Sequence, residues 1–176
     1  MAIQIGEKVL RANGSSRAVL QKEGGLDVEW KASVQTTMPW QPNSYNETSN
    51  TLDYCFKPTV ELLGFVLELE AKVLELVSEN SETYFGQKIE PEVLKMTFQS
   101  ALKTSQKGTE HFKCKGRNVQ FWDKHSKPTS QSTVWNNWDH FRFVVCATAV
   151  WFSEDRGWGI AYDLRHLQSF TADCPF

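Results

Sequence analysis

The sequence predicts an α+β fold in which a helical pair is inserted between the strands of a small antiparallel β-barrel. The middle of the chain has apolar residues at helical spacing, whereas the stretches around it alternate between apolar and polar residues. The last part has the pattern of a long strand hairpin. A hydrophobic fraction of 40% over 176 residues is sufficient for one core. We therefore expect a single domain over residues 1–176.

The chain before the helices is predicted to contain short strands and one long loop. Residues 1–25 hold glycines and scattered aliphatic residues, and we expect an ordered arm or short strands there. Residues 27–36 alternate as a half-buried strand does, and residues 52–57 predict a second strand that Pro58 ends. The polar, proline-containing stretch 38–51 is predicted to be a loop.

The helical pair is expected within residues 59–103. Thr59 is a suitable N-cap, and the apolar residues of 60–77 recur at helical spacing. This pattern predicts an amphipathic core helix whose opposite face is acidic. Pro91 at a first-turn position predicts a second helix over residues 91–103.

The remaining half of the chain, residues 110–170, is predicted to be rich in strands. Its elements are strands over 110–115, 118–122, 141–152 and 158–170, with a polar loop over 126–139. The last two strands form a hairpin, in which Trp158, Ile160, Tyr162 and Leu164 share one face, and Ala161, Asp163, Arg165 and Leu167 share the other. The number of strands, with helices between them, fits a five-stranded oligonucleotide-binding barrel, an OB-fold.

Charge is segregated along the chain. The formal charge is −2, whereas a generic polyanion binder is usually basic overall. Acidic residues are concentrated in the helical pair and cationic residues in 107–127, so we expect one acidic face and one basic face.

The cysteines and the hydropathy pattern predict a soluble intracellular protein of the cytoplasm or nucleus, with no membrane partner. The four cysteines are widely spaced without a C-x-x-C pair, and the N-terminus does not resemble a signal sequence. No apolar run in the sequence is as long as a membrane span.

No catalytic motif is evident, so we expect a protein that is not an enzyme and has no metal or other cofactor. The sequence has no glycine-rich phosphate loop, no H-E-x-x-H and no G-x-S-x-G. His111 and Cys114 lack the second close pair that a zinc site needs. Asp155, Asp163 and Asp173 lack a supporting acidic motif, which leaves a metal-dependent nuclease as a weaker alternative.

Residues 107–127 alternate cations with aromatic rings. One interpretation is a solvated strand pair with core aromatics, and the other is a surface where bases stack and phosphates meet cations. Under the second, the candidate nucleic-acid-binding residues are Lys107, Lys113, Lys115, Arg117, Phe121, Trp122, Lys124, Lys127, Trp135, Trp138, Arg142 and Arg165. We expect Lys113, Lys115 and Arg117 to matter most and Trp122 to be the main stacking ring. Trp40 and Tyr45 lie in a predicted loop, an unusual place for large rings unless they cover something.

Several segments between residues 52 and 170 carry a resemblance to a known family. They are S-E-T-Y-F-G-Q-K (81–88), E-P-E-V-L-K-M-T-F-Q-S-A-L-K (90–103), F-K-C-K (112–115), F-W-D (121–123), A-V-W-F (149–152) and G-I-A-Y-D-L-R-H-L-Q-S-F (159–170). Their succession resembles the replicative single-stranded-DNA-binding proteins of large DNA viruses and phages, which have OB-folds. The resemblance implies that Lys113 and Lys115 project toward the nucleic-acid groove and that 159–168 is the closing barrel strand. The tip 173–176 is similar to the acidic-x-Pro-Phe tip of bacterial single-strand-binding proteins, but it has one acid rather than several.

Together these patterns predict a non-catalytic, largely sequence-independent single-stranded-DNA-binding protein of replication or recombination. RNA stays open as a ligand, because base stacking and phosphate contacts serve both nucleic acids. Replication enzymes are expected partners through the acidic face or the tip. The alternative is a viral structural protein or an inhibitor of a host factor, whose exposed rings would be protein-binding hot spots.

Overall fold

The computed structural model describes residues 1–43, 50–136 and 140–170. Tyr45, Trp138 and the 173–176 tip lie outside this description, as does the side chain of Trp135. The α+β class is confirmed. The chain divides into two compact units. Unit 1 comprises Met1–Val28, Leu63–Ala101 and Ala147–Ala161, and unit 2 comprises Glu29–Leu62, Leu102–Cys146 and Tyr162–Phe176.

Strands predominate among the elements. The strands are β1 (Ile3–Leu10), β2 (Ser16–Lys22), β3 (Val28–Lys31), β4 (Leu52–Phe56), β5 (Phe98–Gln99), β6 (Leu102–Thr104), β7 (Glu110–Gly116), β8 (Gln120–Trp122), β9 (Pro128–Thr129), β10 (His140–Ser153) and β11 (Gly157–Phe170). The helices are α1 (Val60–Glu79), α2 (Ser81–Phe85), α3 (Pro91–Thr97) and α4 (Gln131–Asn136). No helix among the described residues is long and apolar enough to cross a membrane.

Unit 1 contains paired β-strands and most of the helical residues. β1 and β2 form an antiparallel hairpin, and β2 pairs with the second half of β10. The start of β11 pairs in parallel with β5. The fully buried Trp158 ring stacks on Phe152, with 6.2 Å between ring centroids. The strands expected in residues 1–25 are therefore present.

The first predicted helix is confirmed, and α1 extends two residues beyond the predicted end. The Thr59 hydroxyl accepts a hydrogen bond from the Leu62 backbone N–H at 3.2 Å, as an N-cap does. The buried stripe along α1 consists of Leu62, Val66, Leu69, Val73 and Val77. Its exposed side carries Glu61, Glu68, Glu75 and Glu79.

The second helix is shorter than predicted, because α3 ends at Thr97 rather than near Lys103. The Leu94 carbonyl accepts a hydrogen bond from the indole N–H of Trp158 at 3.1 Å. Phe98 then adopts extended backbone and pairs with Trp158 in β11. The helical spacing of apolar residues is overridden here by a tertiary strand contact.

Two further boundaries differ from the sequence prediction. The strand expected over 27–36 is shorter and comprises Val28–Lys31, followed by an isolated bridge between Thr36 and Phe141. The stretch 126–139, expected to be a loop, contains β9 and α4 in its described part. Short elements of this kind give little periodic signal in a sequence.

Unit 2 is built around the sheet contacts of β7 and β11. β7 is antiparallel to β4 and β6, and it pairs in parallel with β11 through Lys115 and Asp163. β8 is parallel to β11 and antiparallel to β9, while β3 pairs with β10. The core is aromatic: Phe56 stacks on Phe143 with 3.9 Å between centroids, and Phe112 and Tyr162 are also buried.

The long final hairpin is confirmed, but its face alternation changes phase. Trp158, Ile160, Tyr162 and Leu164 are buried on one face as predicted. Arg165 and His166 are both exposed, and Leu167, predicted to share a face with Arg165, is fully buried. Because two consecutive residues are exposed here, the alternation of buried and exposed side chains is shifted by one position in the rest of β11.

Candidate nucleic-acid interface

One side of the unit 2 sheet, opposite its aromatic core, collects cations, polar groups and rings. We call it the outer face, and on β7 it comprises His111, Lys113 and Lys115, which alternate with the buried Phe112 and Cys114. Cross-strand neighbours share a face of a sheet. The register therefore adds Lys103, Asp53, Cys55 and Asp163 to the outer face.

The outer face continues across β8 and the end of β11. Gln120 lies beside His166, and Trp122 lies beside Gln168, in parallel register. The intervening pair, Phe121 and the buried Leu167, points to the opposite, core side.

Hydrogen bonds fix the side chains at this end of the outer face. The Trp122 indole N–H donates to Nδ1 of His166 at 3.1 Å. Arg142 donates from Nη2 to the Gln168 amide oxygen at 3.1 Å, and its guanidinium lies 5.0 Å from the centroid of the Phe170 ring. A guanidinium over a ring is a favourable cation–π geometry.

The other end of the outer face forms a pocket with a cavity volume of about 230 Å³. Trp40, which is 39% exposed, packs edge-on against His111 with 4.8 Å between ring centroids. The side chains of Trp40 and Cys55 are also hydrogen-bonded, with the indole N–H as donor. His111 donates from Nδ1 to the Thr109 carbonyl at 3.2 Å, so its Nε2 is the acceptor when the ring is neutral.

Lys113 is held in an ion pair at this pocket. Its Nζ lies 3.1 Å from Oδ2 of Asp53, and the two side chains are 28% and 12% exposed. Lys115, two residues further on, is exposed. Lys113 and Lys115 were expected to matter equally, but the ion pair with Asp53 gives Lys113 a structural role as well.

The other candidate nucleic-acid-binding residues lie in several different loops and strands. Arg117 is exposed and donates from Nε to the Thr51 hydroxyl at 3.3 Å. Lys107 lies in the turn between β6 and β7, and Lys124 and Lys127 lie in the loop between β8 and β9. Arg165 is exposed on β11. The placement of Trp135 and Trp138 relative to the outer face falls outside the described parts of the chain.

Several outer-face residues were not among the sequence candidates, and they include Lys103, His111, His166 and Asp53. Lys103 was predicted to lie in the second helix, so its position on strand β6 was not expected. His111 is two residues from Lys113, so strand periodicity alone would have put both on one face. Asp53 is brought in by strand pairing, which local composition does not reveal.

The loop after β8 is organised by Asp123. Its carboxylate accepts hydrogen bonds from the backbone N–H groups of His125 and Lys127, at 2.8 and 3.0 Å. These bonds, that from Lys127 foremost, lower the pKa of Asp123 below its usual range. Ser126 in this turn has a φ of 61°, which is uncommon for a residue other than glycine.

The described thiols have the environment of structural cysteines. Cys55, Cys114 and Cys146 are buried, and the described part of the chain joins none of them in a disulfide. Burial raises the pKa of Cys55, an effect larger than the opposing ones of the Trp40 hydrogen bond and of Lys113. Burial also raises the pKa of Cys114 well above its usual value. Protonated, buried thiols are poor nucleophiles and metal ligands.

Formal charge differs between the two units. Unit 2 contains eleven Lys and Arg residues against nine Asp and Glu, a net charge of +2. Unit 1 contains eight against twelve, a net charge of −4. The outer face thus belongs to the more positive unit.

Comparisons with known proteins yield structural matches only. No protein-family model and no curated protein matches the chain. The single-stranded DNA-binding protein from bacteriophage Enc34 in complex with ssDNA has a TM-score of 0.48 and 11% identity, over 98% of this chain and 95% of that one. A second structure of that protein gives a TM-score of 0.48 at 11% identity, covering 98% and 89% of the chains. Its C-terminal truncation gives 0.47 at 11% identity, covering 98% and 93%. All three are structures of one phage single-stranded DNA-binding protein.

Proposed function

We propose that this chain is a non-catalytic protein that binds single-stranded DNA on the outer face of unit 2. One observation carries the proposal: strand register puts Lys103, Lys115, Trp122 and the pocket with Trp40 on the same side of one sheet. Arg165 is exposed at the phase change of β11, beside this face.

The chemistry of this face suits an unpaired strand. Exposed ammonium and guanidinium groups contact phosphates without regard to sequence. Partly exposed indole rings offer flat apolar surfaces for bases, and such stacking is worth about 1–3 kcal/mol per base. Trp122 is held by its hydrogen bond to His166, so little conformational entropy would be lost when a base stacks on it.

The proposed cellular role is in DNA replication or recombination, with largely sequence-independent binding. The acidic residues of α1 would repel the DNA backbone. The helix would then be available to bind other proteins of replication or recombination. This role accounts for a chain whose formal charge of −2 is not that of a generic polyanion binder.

The test uses labelled oligo-dT at low salt and a triple variant, Lys103→Ala, Lys115→Ala and Arg165→Ala. We expect the wild type to bind and the variant to bind roughly tenfold or more weakly, because each substitution removes a cation that would pair with a phosphate. The matched control is Lys72→Ala, Lys88→Ala and Lys95→Ala, which removes three charges from unit 1. Its affinity should fall by less than about twofold.

Two outcomes would overturn the proposed binding of DNA to the outer face. The first is absence of binding to oligo-dT and oligo-U alike, which would favour the protein-interaction alternative. The second is an equal loss in the control, which would place the DNA elsewhere on the surface. Magnesium-dependent cleavage of the same oligonucleotide would contradict the non-catalytic assignment.

A further inference from the structure

The pocket on the outer face has the features of a ligand site. It is lined by Trp40, Asp53, Cys55, Lys103, His111 and Lys113, among others. Its cavity volume of about 230 Å³ is smaller than the roughly 300–1,000 Å³ of pockets for drug-sized ligands. This is room for one planar ring rather than for a long chain.

Asp53, one of the residues that line this pocket, has an unsatisfied carboxylate oxygen. Oδ2 of Asp53 is paired with Lys113, but Oδ1 is buried and accepts no hydrogen bond from any described residue. A buried acceptor without a donor costs free energy, which a ligand that brings a donor would recover. The ligand therefore needs an N–H or O–H group at its buried edge.

The rest of the lining adds an apolar wall and positive charge. Trp40 is fixed by its hydrogen bond to Cys55 and by the edge contact with His111, so its ring can flank a planar ligand without rearrangement. Lys103 is exposed beside His111 on the neighbouring strand and can meet a phosphate at the rim. A donor-bearing planar ring linked to a phosphate is a nucleotide.

We propose that this pocket receives one base of the bound strand and favours a base with an exocyclic amino group. This inference rests on the proposed DNA-binding function and adds a base preference at one position. The amino groups of cytosine and adenine project from the ring and can donate to a recessed carboxylate oxygen. Thymine has a carbonyl oxygen at the place where cytosine has its amino group, and that oxygen would face the carboxylate.

The experiment compares oligo-dC with oligo-dT of equal length, both measured by fluorescence anisotropy with the wild-type chain. Both should bind, and oligo-dC should bind about tenfold more tightly, as expected for one hydrogen bond to a charged acceptor. An oligomer of N4,N4-dimethylcytosine keeps the ring but has no amino hydrogen. It should lose the advantage of oligo-dC, and this comparison needs no protein variant.

Variants assign the preference to Asp53. Asp53→Asn should bring the ratio of the two affinities close to one, because the negative acceptor is lost while the shape is kept. Glu110→Gln is the matched control, since it removes the same charge from an exposed position on β7. It should keep the wild-type ratio. Thermal unfolding of each variant confirms that it is folded.

The possible failures separate the two proposals. Equal affinity of the wild type for oligo-dC and oligo-dT overturns the base preference and leaves the DNA-binding proposal standing. The base preference is likewise overturned if the dimethylated oligomer binds as oligo-dC does, or if folded Asp53→Asn keeps the preference. Absence of binding to every oligomer overturns both proposals.

Discussion

Lys113 and Lys115 occur two positions apart on β7, yet their surroundings differ. The ion pair of Lys113 with Asp53 is largely shielded from solvent, whereas Lys115 is exposed. Shielded pairs are screened less by salt, and loss of one partner leaves a buried charge without compensation. The two lysines should therefore respond differently to substitution.

Replacement of Lys113 should destabilise the fold. Lys113→Met keeps much of the side-chain volume but leaves Asp53, which is 12% exposed, without its ion-pair partner. We expect the free energy of unfolding to fall by about 1–3 kcal/mol, somewhat less than for a completely buried pair. Urea unfolding monitored by circular dichroism measures this change.

The matched control is Lys95→Met in α3. Lys95 pairs with Glu92 at 3.6 Å, but these side chains are 56% and 83% exposed. Its substitution should change the unfolding free energy by less than about 0.5 kcal/mol. Equal effects of the two substitutions would show that burial of the Lys113 pair does not matter.

The turn held by Asp123 should depend on pH. Its pKa is lowered in the folded state, so the ionised carboxylate stabilises the turn above the usual aspartate pKa of about 3.9. That contribution is lost as the pH falls through the lowered folded-state value. The protection of the His125 and Lys127 amides, measured as hydrogen exchange relative to the intrinsic rate at each pH, should therefore fall in acid.

Asp123→Asn provides the comparison for this pH dependence. The amide oxygen still accepts hydrogen bonds but does not titrate over the acid range. Protection of the two amides should thus become independent of pH in the variant. If the variant shows the same acid transition as the wild type, another group controls the turn.

At the scale of elements, the contact of β5 with β11 decides how the second helix ends. β5 pairs with β11 in parallel through Phe98 and Trp158. Gly157 stands at the beginning of β11 with a φ of 87°, and a Cβ atom there would be 2.1 Å from the Thr97 carbonyl oxygen. The backbones can approach this closely only because residue 157 has no side chain.

Gly157→Ala should be severely destabilising. The substitution combines positive-φ strain with a steric clash against backbone, and we expect a loss of about 3 kcal/mol or more. Gly108 has a similar φ of 84°, but nothing lies within 4 Å of its would-be Cβ. Gly108→Ala should therefore cost only the strain, about 1–2 kcal/mol. Thermal or urea unfolding distinguishes the two, and similar losses would refute the role of the close contact.

Sequence patterns predicted the elements with strong local signals. The apolar stripe and Thr59 cap predicted α1, and the apolar alternation of the final hairpin predicted β10 and most of β11. Patterns could not show that Trp158 would hydrogen-bond to Leu94 and that Phe98 would leave the helix to pair with β11. Such contacts depend on residues far apart in sequence, and they override local propensity.

The same limit applies to the candidate site. Residues 107–127 were predicted to contain two strands, and β7 and β8 lie there with Lys115 and Trp122 on the outer face. The alternation of cations and rings gave no sign that Phe121 would point to the core side, since that depends on register against Leu167. Nor could it pair Lys113 with Asp53 from a distant strand.

For the whole molecule, the distribution of charge matters more than its sum. The formal charge of −2 combines a net +2 in unit 2 with a net −4 in unit 1. A strand bound to the outer face would release cations condensed on its phosphates, and that release makes affinity salt-dependent whatever the total charge.

Salt dependence should report how many cations of the outer face contact DNA. The logarithm of the affinity for oligo-dT should fall linearly with the logarithm of salt concentration, by about 0.7 per phosphate contacted. The triple variant of Lys103, Lys115 and Arg165 should have a slope smaller in magnitude by about 2. A slope that the triple variant leaves unchanged would mean that these three residues do not contact phosphates.

The buried thiols make the opening of unit 2 measurable in time. Cys55, Cys114 and Cys146 all belong to unit 2, and Cys174 falls outside the described chain. A thiol reagent reaches a buried cysteine only when its surroundings open transiently. Once Cys174 is replaced by Ser, the rate at which the reagent labels the chain therefore reports on the transient opening of unit 2, which carries the outer face. Slower labelling with oligonucleotide present would show that the bound strand holds that unit closed.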